Sequence, residues 1–150
     1  MERRGQAAME FLMTYGWAIL AAIIAIAVLY LLIGNPANLV GDKFTISDPL
    51  VKNAQAAAAT GVTLEVRNGA GEQVTIVPAS STIEGCAGTP VVTVGTATTN
   101  DVPDGDLVKF VFGCTLIPGN RIVGDVAISY KTTGSDVTQK ATGKVNLKVA

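Results

Sequence analysis

Few residues in this chain have the chemistry for a reactive site, and their types narrow the options. No histidine occurs among the 150 residues. The usual general base and the usual nitrogen ligand for a metal are therefore missing, and a catalytic role is not expected. The only thiols are Cys86 and Cys114. An even pair of cysteines downstream of an apolar segment fits a disulfide formed outside the cytoplasm, the other reading being two buried reduced thiols. Asp101, Asp104 and Asp106 gather around Pro103 and Gly105 and are the ligand type that a hard cation takes. Counted from Asp101, however, the position where a calcium loop needs its bidentate Glu is held by Phe112. Pro-Asp-Gly is first a turn signature, so neither a metal nor another cofactor is expected.

The remaining charge is thin and scattered. Net charge is −1, and beyond residue 42 the Lys, Arg, Asp and Glu residues stand mostly alone. No basic stripe is present to neutralise a phosphate backbone, so nucleic acid is not an expected partner. The chain has no Asn-x-Ser/Thr sequon, whereas the threonine-rich stretch from Thr93 to Thr99 leaves O-linked sugar open.

These residues belong to two different kinds of segment. Between Glu10 and Asp42 there is no charged side chain at all. A helix from Phe11 to Ile33, rising about 1.5 Å per residue, reaches roughly 35 Å and is long enough to cross a hydrocarbon core. Arg3 and Arg4 precede it, which orients the N-terminus to the cytoplasm and the rest of the chain outside. Gly34, Asn35 and Pro36 are expected to stop it. The run is longer than a usual signal-peptide core and lacks a clear small-x-small cleavage site, but hydropathy alone suits a plain signal-anchor as well as a helix that polymerises.

Two features of that helix bear on assembly. Thr14, Ala18, Ala21, Ala22 and Ala25 fall on one face, and small residues let helices approach closely. Ile19, Ile23, Ile26 and Leu29 supply bulk elsewhere. Glu10 is an acid at the head of an otherwise uncharged run. It is either hydrated at the membrane edge or, in a helix bundle, in need of a cation or hydrogen-bond donors.

The stretch Arg3-Arg4-Gly5-Gln6-Ala7-Ala8-Met9-Glu10-Phe11-Leu12 resembles the class III signal of archaeal type IV pilins. The following Met13-Thr14-Tyr15-Gly16-Trp17-Ala18-Ile19-Leu20 is similar to the start of many such pilin helices. The likeness covers about the first 35 residues; beyond them it is only architectural. It implies that a prepilin peptidase cuts between Gly5 and Gln6 on the cytoplasmic face. It also implies that Glu10, the fifth residue of the mature chain, pairs with the Gln6 ammonium of its own or an adjacent subunit as subunits enter a filament. Cyclisation of Gln6 to pyroglutamate would remove that ammonium and leave Glu10 to neutral donors. The implied partners are identical subunits, the prepilin peptidase, and an assembly ATPase with its membrane platform, the membrane holding the subunit before assembly. The implied location is the cell membrane for the precursor and an extracellular filament thereafter, with adhesion as the usual use.

After Pro36 the pattern changes to short alternating apolar runs broken by Gly, Asn, Asp and Pro, which reads as half-buried strands. Val62 to Arg67 alternates clearly, Asn68-Gly69 is a hairpin signal, and Gln73 to Val77 is expected to return as its partner. Further strands are expected at Val91 to Val94, Leu107 to Phe112, Asp125 to Tyr130 and Lys144 to Val149, with a turn at Thr133-Gly134-Ser135. Ala54 to Ala59 reads as a helical turn or a loop. The expected fold is α+β: a long N-terminal hydrophobic helix followed by a small, mostly antiparallel sandwich or open barrel. The expected divisions are a cleaved leader at 1–5, the helix at 6–34, a linker at 35–44 and the β-rich head at 45–150. The expected function is structural, a subunit polymerising through its helix. The alternatives are a signal-anchored extracellular binding domain and a minor pilin-like component of a secretion or uptake machine.

Overall fold

The computed structural model describes residues 2–34 and 40–150, and the chain divides into two compact units between Leu39 and Val40. The first unit is a single helix, α1, Glu2–Ile33. Its last turn closes where Gly34 N–H donates to the Tyr30 carbonyl at 2.7 Å. The helix begins ahead of residue 6, so Arg3, Arg4 and Gly5 are helical. Glu, Arg, Gln and Ala are good helix formers, and one exposed glycine among them costs only about 1 kcal/mol. Asn35 and Pro36, expected to stop the helix, lie with the first half of the expected linker outside the described residues, and Lys43 and Phe44 of that linker belong to the first strand of the second unit.

The second unit starts at Val40 and holds ten strands: β1 (Lys43–Ile46), β2 (Leu50–Ala58), β3 (Gly61–Asn68), β4 (Val74–Ile76), β5 (Thr82–Ile83), β6 (Val91–Val94), β7 (Asp101–Val102), β8 (Leu107–Gly113), β9 (Arg121–Thr132) and β10 (Gln139–Lys148). All pairings are antiparallel. One sheet has the order β1-β10-β9-β4-β7, with β5 also on β9, and the other has the order β2-β3-β8-β6. The long β9 thus shares one edge between two short strands, β5 at Val126 and Ala127 and β4 from Tyr130 to Thr132. The fold class is α+β, as the sequence predicts.

A period of two explains how the sheets face each other. Val62, Leu64 and Val66 of β3 point inward and lie opposite Phe112, Phe110 and Val108 of β8. Ala141, Val145 and Leu147 of β10 do the same from the other sheet, with Ile122, Val126 and Ile128 of β9 and Phe44 of β1. These side chains form one continuous core. Alternate residues of the same strands, such as Lys109 and Lys144, face outward.

Two local expectations are overturned. The segment after β3 does not fold back as a hairpin onto Gln73 to Val77. Both edges of β3 are already occupied by β2 and β8, and β4 pairs in the other sheet with β7 and β9. Asn68-Gly69 instead carries the chain from one sheet to the other. Ala54 to Ala58 belongs to strand β2 rather than to a helical turn or loop, because pairing with β3 along Gln55↔Leu64 and Ala56↔Thr63 outweighs alanine's helical preference. The expected turn at Thr133-Gly134-Ser135 forms, with Ser135 N–H donating to Thr132 O at 3.1 Å and Gly134 at φ 76°.

Candidate functional site: the N-terminal helix

Along α1, side chains four apart stack in a row, and Gln6, Glu10, Thr14, Ala18 and Ala22 form such a row. Ala21 and Ala25 lie beside it. At roughly 100° per residue the five small residues occupy an arc of about 100°, with Glu10 at its margin and Gln6 one turn earlier. Thr14, Ala21, Ala22 and Ala25 are exposed and Ala18 is half-buried. A Cβ built on Gly5 or on Gly16 would meet nothing within 4 Å. Gly5, Gln6 and Glu10 are themselves exposed, so the bond between Gly5 and Gln6 is uncovered.

The rest of the helix is apolar all round. Met13 is 82% exposed, Trp17 71% and Tyr30 76%, and Arg3–Ile33 is long and apolar enough to cross a membrane. A helix without a polar side is stable in water only when something covers it, and lipid or other helices are the two covers of suitable polarity. Phe11 and Tyr15, one turn apart, pack with their rings tilted by 39° and their centroids at 4.8 Å.

In the head, Cys86 and Cys114 form a disulfide with Cα atoms 4.8 Å apart. Cys86 follows β5 of the larger sheet and Cys114 follows β8 of the smaller, so the bond joins the two sheets. The aspartates of the Pro103 turn are placed separately. Asp101 Oδ1 accepts from the Thr75 hydroxyl at 2.7 Å, and Asp104 Oδ1 accepts from Gly71 N–H at 3.0 Å. Among the described residues no group of three Cys, Asp or Glu side chains is arranged to hold a metal ion.

Three polar positions in the head, Arg121, Asp42 and Asn68, have a structural role other than any the sequence suggested. Arg121 is nearly buried, donating from Nε to Asn146 Oδ1 at 2.7 Å and from Nη2 to Asp42 Oδ1 at 2.9 Å. Asp42 Oδ1 also accepts from Lys148 N–H at 3.0 Å, so the start of the head is fastened to its last strand. The signal was a lone Arg at an alternating position ahead of Ile122, where a solvated residue would be equally ordinary. The third position is Asn68, fully buried between the sheets. On the outer face of β1, β9 and β10, a recess of ≈ 480 Å³ is lined by Lys43, Asp125 and Lys144. The Asp125 carboxylate accepts from Lys144 Nζ at 2.9 Å, and that hydrogen bond and charge push the ammonium's pKa up.

No family model matches this chain, and no curated protein matches it. Fold and helix together define a class by architecture alone. It is an α+β chain in which one apolar helix of membrane-spanning length precedes a separate, disulfide-bonded, two-sheet domain.

Proposed function

We propose that this chain is the structural subunit of a type IV pilus-like surface filament of the archaeal kind, used for adhesion. The observation that carries the reading is the spacing of Gly5, Gln6 and Glu10 at the head of an apolar helix that also bears a row of small residues. In this reading a prepilin peptidase removes residues 1–5, and the head stands outside the membrane while α1 waits in it. An assembly ATPase and its membrane platform then transfer α1 from lipid into a bundle of identical helices. The row Thr14, Ala18, Ala21, Ala22 and Ala25 permits close helix approach there. Glu10 meets the Gln6 ammonium, setting registry more than adding net stability, since the attraction chiefly offsets desolvation. Contacts of this kind are heterologous and do not close under rotation, which generates an open filament.

The test is the intact mass and N-terminal sequence of protein sheared from cell surfaces, compared with that left in membranes. A chain beginning at Gln6 in sedimentable filaments supports the proposal; lower by one ammonia, it is pyroglutamate and the ion pair is replaced by hydrogen bonds. Met1 retained in membrane-bound protein alone refutes it. A second reading, a signal-anchored extracellular binding domain, is favoured by one observation: the helix runs from Glu2 through Gly5 without a break. Glu10→Gln separates the two, leaving an anchored domain unaffected but causing a filament subunit to accumulate unassembled.

A further inference from the structure

Asn68-Gly69 is the chain's one Asn-Gly pair. In a flexible chain this pair is the most prone to deamidate, because glycine has no side chain to hinder attack on the neighbouring amide. The fold nonetheless demands both residues. A Cβ on Gly69 would stand 2.9 Å from the Pro49 carbonyl oxygen, so a larger residue collides with backbone. Asn68 is 0% exposed, and its Nδ2 donates to the carbonyls of Glu72 at 2.8 Å, Val102 at 3.0 Å and Pro103 at 3.1 Å. Its Oδ1 accepts from Ala70 N–H at 2.9 Å.

We infer that Asn68 is a deamidation site that the folded head keeps closed and that opening of the β3–β4 crossover releases, after which the head does not regain its native fold. The reaction requires the Gly69 backbone nitrogen, having lost its proton, to attack Asn68 Cγ. A bond forms between that nitrogen and Cγ, the Cγ–Nδ2 bond breaks, and ammonia departs. Water then opens the succinimide to aspartate or isoaspartate, with no oxidant or reductant involved. The fold opposes the first step twice. Gly69 N–H is held by the Pro49 carbonyl at 3.0 Å, which opposes loss of the proton that the attack requires. The amide that must leave is fixed by three carbonyls, so Cγ cannot rotate toward the nitrogen.

The product cannot take the reactant's place. An aspartate at 68 would set a buried carboxylate against the carbonyl oxygens of Glu72, Val102 and Pro103, with only Ala70 N–H left as a donor. Isoaspartate adds a methylene to the backbone where β3 leaves its sheet. Each opening that lasts long enough therefore removes a head irreversibly, and the site acts as a one-way timer on unfolding.

The inference does not rest on the filament reading and is tested on the unmodified full chain in mild detergent. Samples are held at mildly alkaline pH, one native and one in guanidinium with the disulfide intact. They are then digested after Arg67, and the peptide starting at Asn68 is sequenced by fragmentation. The expected result is a gain of one mass unit at Asn68 that is at least about 100-fold slower in the native sample, because the reaction must wait for a local opening. On removal of guanidinium, the unmodified fraction regains native hydrogen-exchange protection and the modified fraction does not. Comparable rates in both samples overturn the closed state. A modified chain that refolds to the original protection overturns the irreversibility.

Discussion

Replacing both Cys86 and Cys114 by serine tests how much of the head's stability comes from joining its two sheets. The cysteines are 28 residues apart, and the chain-entropy relation for a closed loop of that length gives roughly 3.5 kcal/mol at 25 °C. For a unit from Val40 to Ala150, with unfolding entropy of about 2 cal/mol/K per residue, that is a fall in midpoint of roughly 15 °C. Calorimetry of the full chain in mild detergent measures it, with reduction of the unmodified protein as a second route to the same state. Because the bond acts on the unfolded chain, its loss also lets that chain expand, and the denaturant slope rises. The native sheets remain paired as before, since Cys114 lies outside the strands and Cys86 pairs only in a single bridge to Ile83. A loss below about 1 kcal/mol, or an unchanged slope with broken strand pairing in hydrogen exchange, refutes the entropic account and assigns the bond a native-state role.

Other outcomes follow from particular side chains. Phe110→Ala removes a fully buried core ring of β8 that is set between Leu64 and Val92 on the neighbouring strands, and is expected to lower the head's stability by about 3–5 kcal/mol in a urea titration. Tyr130 is buried, and desolvation raises its phenol above the usual 10.0. The unfolded chain then ionises first, so head stability falls as pH rises past that value. Tyr130→Phe should flatten the calorimetric midpoint against pH in that range. On the proposed filament reading, Ala21→Leu places bulk on the small-residue face and is expected to leave membrane insertion intact while sheared filament falls and membrane-bound subunit rises; unchanged filament yield counts against close helix packing.

Wherever one physical signal dominated, the fold was legible in the sequence. The uncharged run after Glu10 announced α1, clear alternation announced β3 and a short apolar run announced β8, whose inward residues Leu64 and Phe110 face each other. Leu107 to Phe112 and Val91 to Val94 lie within or on their strands almost to the residue. Legibility ended where pairing, not local preference, decides. β2 contains an alanine run that no strand scale favours, and it is a strand because β3 offers it an edge. β5 and β7 are two residues each, too short for any period to register. Asn68-Gly69 misled because the same dipeptide serves a two-residue hairpin and a buried crossover, and only the partner carbonyls distinguish them. At the helix, residue types and spacing were all present in the sequence, and the structure adds the single row that Gln6, Glu10, Thr14, Ala18 and Ala22 make.

The pairing of β1 with β10 has a consequence for the order of events in a cell. Lys43, among the first residues of the head, lies opposite Asn146, among the last, and Asp42 is held by Arg121 and Lys148. A ribosome releases these partners at opposite ends of the head's synthesis, so the opening strand has no neighbour until the closing strand emerges. Such distant pairing makes completion of the larger sheet late and slow. The head thus stays unfinished, and its larger sheet incomplete, until its final strand has been made. The same arrangement makes the last strand indispensable: a stop codon that removes β10 takes out an interior strand and leaves β1 without a partner.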